Sequence, residues 1–181
     1  AGAAPAAPVP ERAAAQYAQA LGYLKAGKNT DAELEFKQMT LAYPEFAGPH
    51  VNLGILFARA GKLTEASAEL QAAIERNPQN AVAHDELGIV YRKQGKLQEA
   101  DAAYQRAIAA DPNYALAHLN LAVLCDVYLN DPVRAAAQYE QYLQIVGNSP
   151  KVAAWAAEAR KRGGVAPVPK AAPAAPQKEA Q

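Results

Sequence analysis

The stretch Ala81-Val82-Ala83-His84-Asp85-Glu86-Leu87 sets an imidazole beside two carboxylates. Those residue types can hold a metal ion or move a proton as an acid/base pair. Two further histidines, His50 and His118, each lie 34 residues from His84, and three imidazoles make a zinc-ligand set. Cys125, the only cysteine in the chain, is a candidate nucleophile.

The elements that must carry these residues argue against each site. Adjacent residues on a helix point about 100° apart, so His84, Asp85 and Glu86 do not face one another. The three histidines hold the same place in successive units. At about 10 Å per stacked unit the outer two stand about 20 Å apart, whereas zinc needs nitrogen ligands at about 2 Å. Packing is therefore the expected role of all three. Cys125 falls in the slot that Phe57 and Tyr91 fill in other units, which predicts a buried, unreactive thiol. The sequence has no Gly-rich phosphate loop, no G-x-S-x-G elbow and no H-E-x-x-H pair, so neither catalysis nor a metal or cofactor is expected.

The unit itself is plain from self-comparison. Segments beginning at Ala47, Ala81 and Ala115 align without gaps at a period of 34 residues, marked by His50, His84 and His118 and by Pro44, Pro78 and Pro112. Each carries two amphipathic helical patterns. A glycine turn at Gly27, Gly61 or Gly95 separates the two, and the proline stops the second helix. Small residues at Gly54, Ala66, Gly88 and Ala100 let paired helices approach, and Leu53, Phe57, Leu87, Tyr91 and Tyr104 fill the space between pairs. One pair alone cannot bury its apolar face; a stack can.

Composition sets the outer bounds. The chain has 181 residues, enough for one domain with tails, and 18 basic against 18 acidic residues leave no net field for nucleic acid. No apolar run approaches the roughly 18 residues that span a bilayer. Residues 1–10 and 163–181 are Ala/Pro-rich and aperiodic, which predicts a linker and a disordered tail around a repeat domain at 11–162. A first residue that is not Met suggests a processed precursor or a trimmed chain.

In its period and its Leu-Gly, Tyr, Ala, aromatic, Ala, Pro pattern the sequence resembles the tetratricopeptide repeat (TPR) family. The second unit matches at Leu53, Gly54, Phe57, Ala66, Leu70, Ala73 and Pro78, and the third at Leu87, Gly88, Tyr91, Ala100, Tyr104, Ala107 and Pro112. The first keeps Tyr23, Ala32, Phe36 and Pro44 but has Gln19-Ala20 in place of Leu-Gly. The fourth keeps Leu121 and Tyr139, has Ala122 and Cys125 at the glycine and tyrosine positions, and carries one extra residue around Tyr128–Pro132. A last helix follows. In it Ser149 is the expected N-cap, Pro150 opens the first turn, Val152, Trp155 and Ala156 form an apolar stripe, and Arg160, Lys161 and Arg162 end it; Trp155 should cover the fourth repeat.

The resemblance implies an all-α fold: a right-handed α-solenoid of four repeats (about 13–46, 47–80, 81–114 and 115–149) with a capping helix at 150–162. It implies a non-catalytic scaffold that binds an extended peptide or a short helix of a partner protein in the concave groove lined by the first helix of each pair. The groove residues so implied are Tyr17, Leu21 and Lys25; Val51, Asn52, Ile55 and Arg59; Asp85, Glu86, Ile89, Arg92 and Lys93; and Leu119, Asn120, Val123 and Asp126. Asn52 and Asn120 stand where the family grips peptide backbone. Lys25, Arg59 and Lys93 read either as a basic stripe for a carboxylate or as cations that stabilise helix C-termini. Ala14, Ala18 and Glu86 stand where a chaperone-tail clamp needs other groups, which disfavours that ligand. The alternative to peptide binding is a self-associating module that stacks through its terminal repeats; the expected oligomeric state is a monomer or a weak homo-oligomer. The flanks resemble those of bacterial envelope proteins, with a periplasmic or lipid-anchored setting implied, and the cytoplasm as the alternative.

Overall fold

A computed structural model describes residues 10–164. The segments expected as linker and tail lie outside the described residues except for Pro10, Gly163 and Gly164. The described residues form antiparallel helix pairs in chain order: α1 (Glu11–Lys25) with α2 (Asn29–Ala42), α3 (Ala47–Arg59) with α4 (Leu63–Arg76), and α5 (Ala81–Lys93) with α6 (Leu97–Ala110). The fourth pair is α7 (Ala115–Val123), extended by a π-helical turn at Leu124–Tyr128, with α8 (Pro132–Val146). The last helix, α9 (Pro150–Arg162), packs on α8.

The turn inside each pair follows from glycine's freedom at positive φ. Gly27, Gly61 and Gly95 sit at φ +72°, +77° and +76°, and the amide after each glycine bonds back into the last turn of the helix: Lys28 N to Tyr23 O, Lys62 N to Phe57 O and Lys96 N to Tyr91 O, each 2.9 Å. The fourth pair reaches the same turn differently. Its extra residue is absorbed inside the helix as the π turn, so the returning bond, Asp131 N to Cys125 O at 2.9 Å, spans one residue more. Asn130, at φ 51°, takes the glycine's place, as asparagine can. Asp131 then caps α8 by accepting from the Arg134 amide at 3.0 Å.

The prolines that end the second helices also anchor the helices that follow. His84 Nε2 donates to Pro78 O at 2.9 Å and His118 Nε2 to Pro112 O at 3.0 Å. In the first repeat the equivalent carbonyl, Pro44 O, is taken by Arg76, and His50 instead turns Nδ1 to Glu69 at 2.7 Å. All three imidazoles are buried and each holds its own partners, with no metal-sized group of ligands among the described residues.

The core runs through the stack. Phe36, Leu53, Phe57, Leu70, Leu87 and Val90 join the first three repeats, and Tyr104, Leu121, Leu124, Cys125, Tyr139 and Val152 join the third, the fourth and α9. Close approach inside the middle pairs depends on glycine: a Cβ on Gly54 would stand 2.5 Å from Leu70 Cγ, and one on Gly88 2.5 Å from Tyr104 Cε1.

Helix α9 departs from expectation at two points. Its buried stripe is Val152, Ala156 and Ala159, while Trp155 is 37% exposed. The spacing i, i+4, i+7 centres the stripe on the alanines and leaves Trp155 on its flank, tilted against the Tyr139 ring at 5.9 Å. Ser149 occupies the N-cap position, but its hydroxyl makes no capping bond. The basic residues at the end do more than meet a helix dipole: Arg160 pairs with Glu140 of α8 and Arg162 with Asp126 of the π turn.

Candidate functional site

The first helices α1, α3, α5 and α7 form one wall of the stack. Leu21, Ile55, Ile89 and Val123 recur on it at 34-residue intervals, each half-buried. They make an apolar column that keeps access to solvent. Lys25, Arg59 and Lys93 follow one turn later and are exposed. Lys93 reaches back to the C-terminal end of α3, donating to Ala58 O at 3.3 Å, so it serves the neighbouring helix end as well as the rim.

The polar residues of the wall are arranged across the seams between repeats. Asn52 donates to the Tyr17 hydroxyl at 2.8 Å and to Gly48 O at 2.9 Å. Asn120 donates to both oxygens of Asp85, at 2.9 and 3.1 Å. The two asparagines expected to grip a ligand thus direct their amide hydrogens into the protein. Asp85, expected on the open wall, is only 1% exposed. Burial pushes its carboxyl up to about 6, Asn120 opposes this, the Glu86 charge adds to it and Arg92 opposes it. Glu86, by contrast, is half-buried and reaches solvent. Burial holds its carboxyl above the ordinary range against the pull of Arg59 and Lys93.

At the far end, Arg92 lies over the Tyr128 ring at 5.5 Å. Asp126 accepts from Arg162 and from the Tyr139 hydroxyl, 3.2 Å away, so α9 occupies this corner of the wall. Leu119 and Val123 complete it, half-buried. Ala14 and Ala18 present bare methyl groups on the exposed face of α1.

Three tyrosines near the wall carry no functional signal in the repeat pattern. Tyr128 lies just past the inserted residue, where the 34-residue register no longer applies. Tyr104 reads as core from its position, and its fully buried hydroxyl lies near Arg92 without a well-formed hydrogen bond among the described residues. Tyr114 precedes α7, and burial with the charges of Asp85 and Glu86 pushes it up to about 12.

Chemically the wall offers an apolar column, a rim of cations and one open carboxylate. Cys125 is fully buried, and burial pushes its thiol up to about 11, which removes it as a nucleophile. No helix among the described residues is long and apolar enough to cross a membrane.

Comparison with known proteins agrees with this geometry. Family profiles described as tetratricopeptide repeat match residues 17–81 and 69–102, and one described as TPR repeat matches residues 88–125. No curated protein sequence matches the chain. Among solved structures, PilF of Pseudomonas aeruginosa superposes with a TM-score of 0.75 at 23% identity, over 84% of this chain and 69% of that one. MamA gives a TM-score of 0.73 at 22% identity over 87% and 85%. A thermophilic TPR protein of Thermus thermophilus gives 0.69 at 25% identity over 83% and 82%. The fold is the TPR solenoid, an architecture suited to protein–protein interaction. The chain belongs to the tetratricopeptide repeat family.

Proposed function

We propose that this protein is a non-catalytic adaptor that binds an extended segment, or a short helix, of another protein along the wall of α1, α3, α5 and α7. The observation that carries this reading is the apolar column Leu21, Ile55, Ile89 and Val123, half-buried at equivalent positions of four successive repeats. A column with that period suits a ligand that runs along the stack and sets side chains into successive steps. The exposed cations Lys25, Arg59 and Lys93 border it and would steer approach and register more than they add affinity. An envelope setting is supported only by the Ala/Pro-rich flanks at residues 1–10 and 163–181.

The test is site-specific photocrosslinking. A benzoylphenylalanine at Ile55 or Ile89 should join the protein to a partner, whereas one at Leu41, exposed on α2, should not. Equal yields from both faces, or none from the wall, would refute the groove.

A further inference from the structure

Across the first and third seams of the wall, residues 35 apart meet, Tyr17 with Asn52 and Asp85 with Asn120; the 34-residue register gives Val51 and Glu86 the equivalent places at the seam between. The first and third rungs are closed by hydrogen bonds of 2.8 and 2.9 Å. In the middle rung the register puts Val51, which has no polar group, where Tyr17 and Asp85 accept a hydrogen bond, and among the described residues Glu86 makes neither a side-chain hydrogen bond nor an ion pair. Arg59 and Lys93 lower its proton affinity, yet burial outweighs both. This carboxylate has therefore lost more hydration than its neighbours restore, and a donor supplied by a ligand would make up the deficit.

The surroundings define what that ligand presents. Glu86, Ile89 and Lys93 follow at i, i+3 and i+7, on one stripe of α5, and Ile55 repeats the position of Ile89 on α3. Resting on the groove reading above, we propose that Glu86 is the specificity residue of the wall and takes the cationic end of a lysine or arginine in the bound segment. An apolar neighbour of that cation lies on Ile55 and Ile89. Such a pair is a charge-assisted hydrogen bond in a partly desolvated site, where it is stronger than at an open surface.

A phage library of random dodecapeptides selected on the full chain tests this. Selected peptides should carry a lysine or arginine beside an apolar residue. The affinity of a synthetic copy should drop about tenfold or more with Glu86→Gln and change less than about twofold with Glu75→Gln on the other helix layer. Mapping of the peptide by amide shifts in the labelled chain locates it independently of any variant. Peptides that map to Ile55 and Ile89 but lack a basic residue, or that ignore Glu86→Gln, overturn the assignment of Glu86 and leave the groove standing. Peptides that map elsewhere, or a library that yields none, overturn the groove and the assignment with it.

Discussion

Asn120 on α7 donates its side-chain amide to both carboxylate oxygens of Asp85 on α5, at 2.9 and 3.1 Å, across the seam between the third and fourth repeats. A carboxylate 1% exposed is expensive to bury, and this one amide is its only hydrogen-bond donor among the described side chains. The bond therefore couples the two repeats, and its strength depends on the charge of Asp85.

Asp85 keeps its proton in the fold up to about pH 6, whereas an unperturbed aspartate releases it near 3.8. Between those values the folded state binds more protons than the unfolded chain, so this residue's contribution to stability falls as pH rises from about 4 to about 6 and is level above. The Asp85→Asn variant should lack that dependence. Relative to wild type it should gain on the order of 2–3 kcal/mol between pH 4 and pH 7 in urea unfolding. A difference that does not change with pH would show that the carboxyl is not raised. Asn120→Ala should cost about 1–3 kcal/mol at pH 7 by leaving the charge without a donor, and less in the Asp85→Asn background.

The two tight glycines should resist enlargement unequally. Alanine at an exposed helical glycine gains up to about 1 kcal/mol from propensity, and Gly22→Ala should show it, because nothing lies within 4 Å of the added carbon. Gly54→Ala drives a methyl to 2.5 and 2.9 Å from two side-chain atoms of Leu70, a smaller and unconjugated side chain that is itself fully buried. Gly88→Ala drives one to 2.5, 2.6 and 3.0 Å from three atoms of the fully buried Tyr104 ring, which has nowhere to turn. Net losses of about 1–3 kcal/mol are expected, with Gly88→Ala the larger. Thermal melts of the three variants give the order.

At the fourth turn Asn130 stands at φ 51°. Asn130→Ala should lose about 1 kcal/mol, as alanine takes the left-handed penalty without asparagine's local bonding, and Asn130→Gly should be close to neutral. Equal losses in both would mean that the asparagine side chain, not its backbone, holds the turn.

Cys125 should be silent to thiol reagents in the folded protein. With its thiol pushed up to about 11, roughly one molecule in a thousand carries the thiolate at pH 8, and the residue is fully buried. Labelling by a chromogenic disulfide should follow the opening of the fourth repeat and accelerate in urea. Rapid labelling of the native chain would contradict the burial.

Where the helices begin and end is legible in the residues alone. Glycines at Gly27, Gly61 and Gly95 and prolines at Pro44, Pro78 and Pro112 act through local backbone geometry, and a 34-residue period carries that geometry from one unit to the next. The common face of Ile55, Ile89 and their equivalents is legible too, because face membership follows from helical periodicity. Which polar residues on that face remain open depends instead on packing between repeats. Asp85 is closed because Asn120 stands across the seam, Asn52 is closed by Tyr17, and Glu86 is open because no described side chain bonds to it. The insertion became a π turn that keeps the Asn130 turn in register, and Trp155 was displaced to a flank by the smaller residues that fit against α8. Those outcomes depend on which side chains meet across an interface, a relation between helices that no single helix records.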